Sequence, residues 1–142
     1  REGMILPDVF CYNTLISAFR TDEQWTRALA LLCDMRDTKV DPNVVSYNAG
    51  VSVCEKSGQW PHALSLFREM REAMLAPTVF SYGAGVNACK SGGQWHLALG
   101  LLHEMRGANL PPDAFVCTTA ISACGKGEQW QQALSLLGEM RE

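Results

Sequence analysis

The sequence repeats itself at an interval of 35 residues, and it does so without a slip. Tryptophan recurs at Trp25, Trp60, Trp95 and Trp130, methionine at Met35, Met70, Met105 and Met140, and proline at Pro7, Pro42, Pro77 and Pro112. Gln precedes each of these tryptophans, and Arg follows each of these methionines. Ala-Leu recurs at Ala28-Leu29, Ala63-Leu64, Ala98-Leu99 and Ala133-Leu134. Self-similarity on this scale denotes an array of supersecondary units that bury their apolar faces against one another, not one closed core. Such arrays bind extended partners along a groove, so the period bears on function as well as on fold.

Each unit divides into two helical stretches. The first runs from about Val44 to Glu55, with Val44, Tyr47, Val51 and Cys54 at spacings of three or four. Ser57-Gly58, Gly92-Gly93 and Lys126-Gly127 mark a tight turn after it. The second runs from about Trp60 to Glu72 and carries Ala63, Leu64, Leu66, Phe67 and Met70 on its apolar side. Pro61 falls in its first turn, where a missing N–H is harmless. Pro42, Pro77 and Pro112 stop the helix from running into the next unit. The expected fold is all-α, a right-handed α-solenoid of stacked helix-turn-helix repeats. Residues 1–8 read as the end of a preceding unit, followed by units 9–43, 44–78, 79–113 and an incomplete 114–142. With neither a distinctive capping unit nor an initiator methionine, the chain reads as a window cut from a longer array.

Composition and residue types then remove several functions. A formal charge of −3 argues against a broadly cationic surface. The longest uncharged run, Ala73 to Cys89, is broken by Pro77, Gly83 and Gly85, so no membrane span is expected. No targeting segment is visible. Cys54, Cys89 and Cys124 share a repeat position that holds Phe19 in the first unit, which marks a packing site. No Cys-x-x-Cys occurs, so the six cysteines are read as reduced structural thiols with no disulfide and no metal. His62, His96 and His103 fall at three different repeat positions, and none has a nucleophile-and-base arrangement. No enzyme, cofactor or small-molecule substrate is expected. The tryptophans are read as structural plugs beside the turn, and the methionines as gap-fillers. Glu69 with Arg71, and Glu104 with Arg106, are placed on the outer face in water.

The unit that begins Val44-Val45-Ser46-Tyr47-Asn48 and continues through Gly58, Ala63-Leu64, Phe67 and Met70 to Pro77 resembles a pentatricopeptide repeat. The first unit agrees, with Val9, Tyr12-Asn13-Thr14-Leu15-Ile16, Ala28-Leu29, Met35 and Pro42-Asn43. Tetratricopeptide repeats have a period of about 34 and carry Trp and Tyr in the first helix, whereas these tryptophans open the second. The Gln-Trp variant is similar to repeats of algal and protist members of the family. Two departures stand out. The glycine usual near the end of the second helix is replaced around Thr38 and Ala73. Gly50 and Gly85 lie inside first helices, where glycine costs about 1 kcal/mol relative to alanine.

The resemblance implies binding of single-stranded RNA, one base per repeat, through two or three side chains per unit. The family reads the base mainly with the fifth residue of a unit and its last. Fifth residues here are Asn13, Asn48, Gly83 and Thr118; last residues are Asn43, Thr78 and Asp113, with Asp8 left from a preceding unit. Asn13 with Asn43 resembles a cytosine-preferring pair and Thr118 suggests a purine. Asn48 with Thr78 is not a standard pair, and Gly83 has no side chain to discriminate with. The second residue of a unit packs against bases in the family, and here it is Phe10, Val45, Phe80 and Phe115. These aromatics either stack on unpaired bases, at roughly 1–3 kcal/mol each, or fill the contact between adjacent first helices. Arg20, Lys56, Lys90 and Lys126 face a single acid, Glu55, in the first-helix segments, either as phosphate contacts or as solvated helix ends. Two functions follow. The first is recognition of organellar RNA, in a mitochondrion or plastid, for maturation, stability or translation. The second is a non-catalytic scaffold binding other proteins of a large organellar assembly, which the acidic total, Gly83 and the Asn48–Thr78 pair favour, whereas the family resemblance, the phenylalanine row and the first-helix cations favour RNA binding, the reading taken here.

Overall fold

The computed structural model describes residues 6–19 and 24–141. Among them are eight helices and no strand: α1 (Val9–Ala18), α2 (Trp25–Asp37), α3 (Val44–Lys56), α4 (Trp60–Glu72), α5 (Val79–Ser91), α6 (Trp95–Gly107), α7 (Ala114–Lys126) and α8 (Trp130–Arg141). Every second helix opens on its tryptophan. Pro61 stands in the first turn of α4, where its fixed φ suits a helix start. The first helices begin on the residue after Asp8, Asn43, Thr78 or Asp113, whose side-chain oxygen accepts the backbone N–H of the residue three further on. Those four caps are the last-position residues.

The helices stack as an all-α helical repeat solenoid. Each first helix packs against the first helix of the next unit, and each second helix lies against its own first helix and, in the first three units, the next one. Successive second helices keep their backbones apart. The first-helix side is therefore the tighter, inner side of the stack, and the second helices form the outer layer.

Burial at the repeated apolar positions shows that stacking supplies the core. Met35, Met70 and Met105 are fully buried, whereas Met140, with no following unit against it, is 42% exposed. Leu32, Phe67 and Leu102 are buried, but the equivalent Leu137 is 41% exposed. Removing a buried methionine side chain from such a site costs about 2–5 kcal/mol.

The tryptophans plug the seam between units. Trp60 lies over Gly92, the C-cap of α5, so closely that a Cβ there would fall 2.5 Å from the indole. Trp95 sits over Gly127, the C-cap of α7, in the same way. Ser57 occupies the corresponding position in the second unit, and Trp25 there tilts against His62 with ring centroids 4.7 Å apart. Trp130 is 64% exposed. Gly50 packs close to the tips of Leu32 and Leu66, and Gly85 to that of Leu101, so a helix-weakening residue gives close approach between layers.

The expected turns follow the first helices, with their left-handed residues at Gly58, Gly93 and, after α7, Glu128 (φ 58°). At the ends of the second helices, Lys39, Met74 and Asn109 adopt φ of 62–63°. There the amides of Val40, Leu75 and Leu110 bond back to the carbonyls of Met35, Met70 and Met105. The family's missing glycine is thus replaced by side chains held in the left-handed region. The outer charges are also not merely solvated: Arg36, Arg71 and Arg106 pair with Glu69, Glu104 and Glu139 of the next unit, at 3.6, 2.5 and 3.0 Å. These pairs are well exposed, so each is worth under about 1 kcal/mol, but they help tie together second helices whose backbones stay apart.

Cys54, Cys89, Cys117 and Cys124 are buried free thiols, while Cys11 and Cys33 are exposed, which corrects the expectation that all six are structural. Burial pushes the Cys54 thiol up to about 11 and the Cys89 thiol up to about 12. Both lie above the ordinary thiol value of 9.0, so the unfolded chain ionises first as pH rises. Their contribution to stability is therefore intact below pH 9.0 and is lost as pH climbs toward 11 and 12. Iodoacetamide at neutral pH is expected to label Cys11 and Cys33 in the native chain and the other four only after unfolding; native labelling of Cys54 or Cys89 would contradict this packing.

Two substitutions separate steric from conformational effects in urea denaturation. Gly92→Ala should destabilise by about 1–3 kcal/mol, because the added methyl would overlap the Trp60 indole and force it to shift. Met74→Gly should stabilise by up to about 1 kcal/mol, since an exposed residue leaves a conformation that disfavours side chains. Equal midpoints for parent and Gly92→Ala would refute the tryptophan seat.

Candidate nucleic-acid interface

The inner face is built from one residue per helical turn of each first helix. On α3 these are Val45, Asn48, Ser52 and Lys56, at spacings of three or four, and they line one cleft together with Ser17, Phe19 and Phe80. Two more clefts flank it along the stack. One lies between α1 and α3 and is lined by Phe10, Asn13, Ser17, Asn43 and Val45 among others. The other lies between α3, α5 and α7, bounded by Phe80, Phe115, Gly83, Asn87, Asp113 and Lys56. Their volumes are about 720, 410 and 450 Å³ in chain order, within the roughly 300–1,000 Å³ typical of small-ligand pockets. Clefts between the second helices hold only about 180 and 190 Å³ and contain residues of the outer ion pairs.

Second-position residues form the walls between successive clefts. Phe10 is 73%, Val45 57%, Phe80 61% and Phe115 58% exposed. Burial between adjacent first helices therefore does not account for these side chains. Their exposed apolar surface borders the clefts, where a flat ring could enter between two of them.

Fifth and last residues meet at the floor, because the last residue of a unit caps the next first helix. Asn13 Nδ2 donates to Asn43 Oδ1 at 3.1 Å, and Asn43 Oδ1 also accepts the Ser46 N–H at 3.0 Å. Asn48 and Thr78 are joined through Ser81, whose hydroxyl donates to Asn48 Oδ1 at 2.6 Å and lies 3.1 Å from Thr78 Oγ1. The third floor differs: Gly83 faces Phe115 and Val116, and Asp113 accepts only the Val116 N–H. Thr118 is exposed on α7 and lines none of the three clefts. Asp8 accepts the Cys11 N–H, which holds its carboxyl below the usual carboxylate range.

The cations do not form one row. Lys56 lines two clefts, Lys126 is exposed at the end of α7, and Lys90 is half-buried one register earlier, away from the clefts. Arg20 lies outside the described residues. Each lysine sits in the last turn of its helix, where a positive charge also complements the backbone dipole. Glu55 lines the third cleft and accepts a hydrogen bond from Asn87 Nδ2. Glu55 and Asp113 thus offset Lys56 there, and the groove is only weakly cationic.

Sequence reasoning passed over Ser46 and Ser81, which are buried and hydrogen-bonded to the fifth-position amides. Asn43-x-x-Ser46 and Thr78-x-x-Ser81 are the signal that marks them, since each pair satisfies the other's backbone N–H as a capping box. The three histidines stand outside this face: His62 and His96 lie against Trp25 and Trp95, and His103 is exposed on α6. Among the described residues no cluster of three metal-ligating side chains exists, and no helix is long and apolar enough to cross a membrane.

A family model described as PPR repeat family matches residues 7–54 and 42–91, and the PPR repeat model matches residues 80–110 and 115–142. The chain belongs to the pentatricopeptide repeat family. No curated protein gives a significant sequence match. Among solved structures, pentatricopeptide repeat protein PPR10 from maize superposes with a TM-score of 0.80 at 22% identity. PPR10 in complex with an 18-nt psaJ RNA element gives 0.82 at 29%. In both, the alignment covers 99% of this chain and 20% of PPR10, so the chain spans about a fifth of that protein. The PPR domain of Arabidopsis thaliana protein-only RNase P 1, solved in complex with tRNA, gives 0.77 at 18% identity over 100% of this chain and 76% of that domain. At that identity the likeness concerns the fold.

Phe80→Ala distinguishes a groove wall from a core filler without any ligand. It should lower thermal stability by less than about 1 kcal/mol, against the 3–5 kcal/mol typical of a buried phenylalanine. A loss in the larger range would return Phe80 to the packing between first helices.

Proposed function

We propose that this chain binds single-stranded RNA along the row of first helices, one base in each cleft between units. The observation that carries the reading is the succession of three clefts walled by exposed second-position side chains and lined by fifth-position residues, with the last-position Asn43 and Asp113 beside them in the first and third. Stacking supplies most of the affinity, at roughly 1–3 kcal/mol per base, and tolerates any sequence. Discrimination comes from the floor. Asn13 with Asn43 favours cytosine, Asn48 with Thr78 gives a less defined preference, and Gly83 reads no edge. The co-crystal of PPR10 with psaJ RNA, at 29% identity, supports RNA as the ligand class. The segment works as a binding module without chemistry of its own, in maturation, stability or translation of RNA in a mitochondrion or plastid.

Fluorescence anisotropy with randomised single-stranded RNA oligonucleotides at several salt concentrations tests this. With two lysines, Lys56 and Lys126, near the groove, log K should fall with log salt at a slope of about −1.4, from roughly −0.7 per phosphate neutralised. Phe80→Ala combined with Phe115→Ala should weaken binding by about tenfold or more. Affinity indifferent to both rings would contradict a stacking groove. Absence of RNA binding even at low salt, with stable co-purification of a protein complex, would make the chain a structural subunit.

A further inference from the structure

The hydrogen bonds at the cleft floors fix more than position. Asn43 Oδ1 is committed as an acceptor, because it caps α3 through the Ser46 N–H. The Asn13 atom facing it at 3.1 Å must therefore be the NH2 group, which leaves Asn13 Oδ1 toward Ser46. Ser46 Oγ accepts the Asn43 N–H at 3.0 Å and gives its own proton to Asn13 Oδ1. In the next unit Ser81 Oγ accepts the Thr78 N–H at 2.9 Å and donates to Asn48 Oδ1 at 2.6 Å, so toward Thr78 Oγ1, 3.1 Å away, it is left to accept. A flipped Asn48 would put NH2 against Ser81 Oγ and force the serine to turn its proton to Thr78. Both serines are fully buried.

We propose that Ser46 and Ser81, the third residues of their units, are positioning residues that lock the fifth-position amide of the preceding unit with its carbonyl inward. Asn48 then offers its two N–H groups to the groove, and Asn13 the one not given to Asn43 Oδ1, so each cleft favours a base that presents an acceptor atom there. This rests on the RNA reading above. The third cleft lacks both halves of the clamp at once: Gly83 stands where the amide would be and Val116 where the serine would be. Space for the amide exists, since a Cβ on Gly83 would meet Phe115 and Val116 only at 3.5–3.6 Å, an ordinary contact. The clamp is therefore a transferable pair, not a property of either residue alone.

Two readouts test it. In the free protein, 15N relaxation of the Asn48 side-chain amide should give an order parameter near the ~0.85 of rigid groups, falling below about 0.6 in Ser81→Ala and recovering in Ser81→Thr. An amide as mobile in the parent as in Ser81→Ala would overturn the clamp. Selection from a randomised single-stranded RNA pool is the second readout. Ser81→Ala should cut base preference at one nucleotide about fivefold, the equivalent of a hydrogen bond worth about 1 kcal/mol, while overall affinity holds. Gly83→Asn with Val116→Ser should create a preference at the neighbouring nucleotide that Gly83→Asn alone does not. Equal selectivity for the single and double variants would overturn the role of the serine. A parent chain that binds no RNA would overturn the RNA reading and the selectivity together, while the relaxation measurement still decides whether the amide is locked.

Discussion

Each of the first three second helices is wedged between its own first helix and the first helix of the following unit, and the geometry of the molecule follows from that wedge. Tryptophan at the head of the second helix sits on the glycine C-cap of the next first helix at two seams. Methionine near its tail is sealed only where a following unit covers it. Because the wedge lies on one side, first helices are drawn into contact while second helices stay apart and are joined only by side chains, including the exposed arginine–glutamate pairs. An inner row of helices with repeated clefts results, at the spacing of the units themselves.

Capping chemistry then couples stability to recognition. A helix start wants Asp, Asn, Ser or Thr to accept its free N–H groups. Here the capping residue is also the last residue of the preceding unit, and two such residues, Asn43 and Asp113, line clefts of the groove. Its oxygen is spent on the helix, so what it can offer a ligand is what remains: an NH2 from Asn43, the second carboxylate oxygen from Asp113. Residue types at this position are therefore filtered twice, once by folding and once by any ligand that occupies the cleft.

The fold was almost wholly legible in the sequence. The period, the linker prolines and the apolar spacing place the helices to within a residue or so, as at α3, which ends at Lys56 and not Glu55. What escaped depends on contacts between units. Arg36 with Glu69, Asn13 with Ser46 and Asn48 with Ser81 all pair residues 33 apart, a spacing that no helical periodicity reveals. The left-handed turns at Lys39 and Met74 were likewise hidden, because neither residue type announces a positive φ. At the candidate site, the walls and floor could be named from family resemblance. Their exposure, their grouping into clefts and the offset of Lys56 by Glu55 and Asp113 required coordinates.

The central claim is that the inner face, and not the outer one, receives the bases. NMR chemical-shift mapping of the 15N-labelled chain with a short single-stranded RNA of mixed sequence addresses it most directly. The account predicts shifts concentrated at Asn13, Asn43, Val45, Asn48, Phe80 and Phe115, with the second helices nearly silent. Shifts centred on Arg36, Arg71 and Arg106 of the outer layer, or none at saturating RNA, would contradict it.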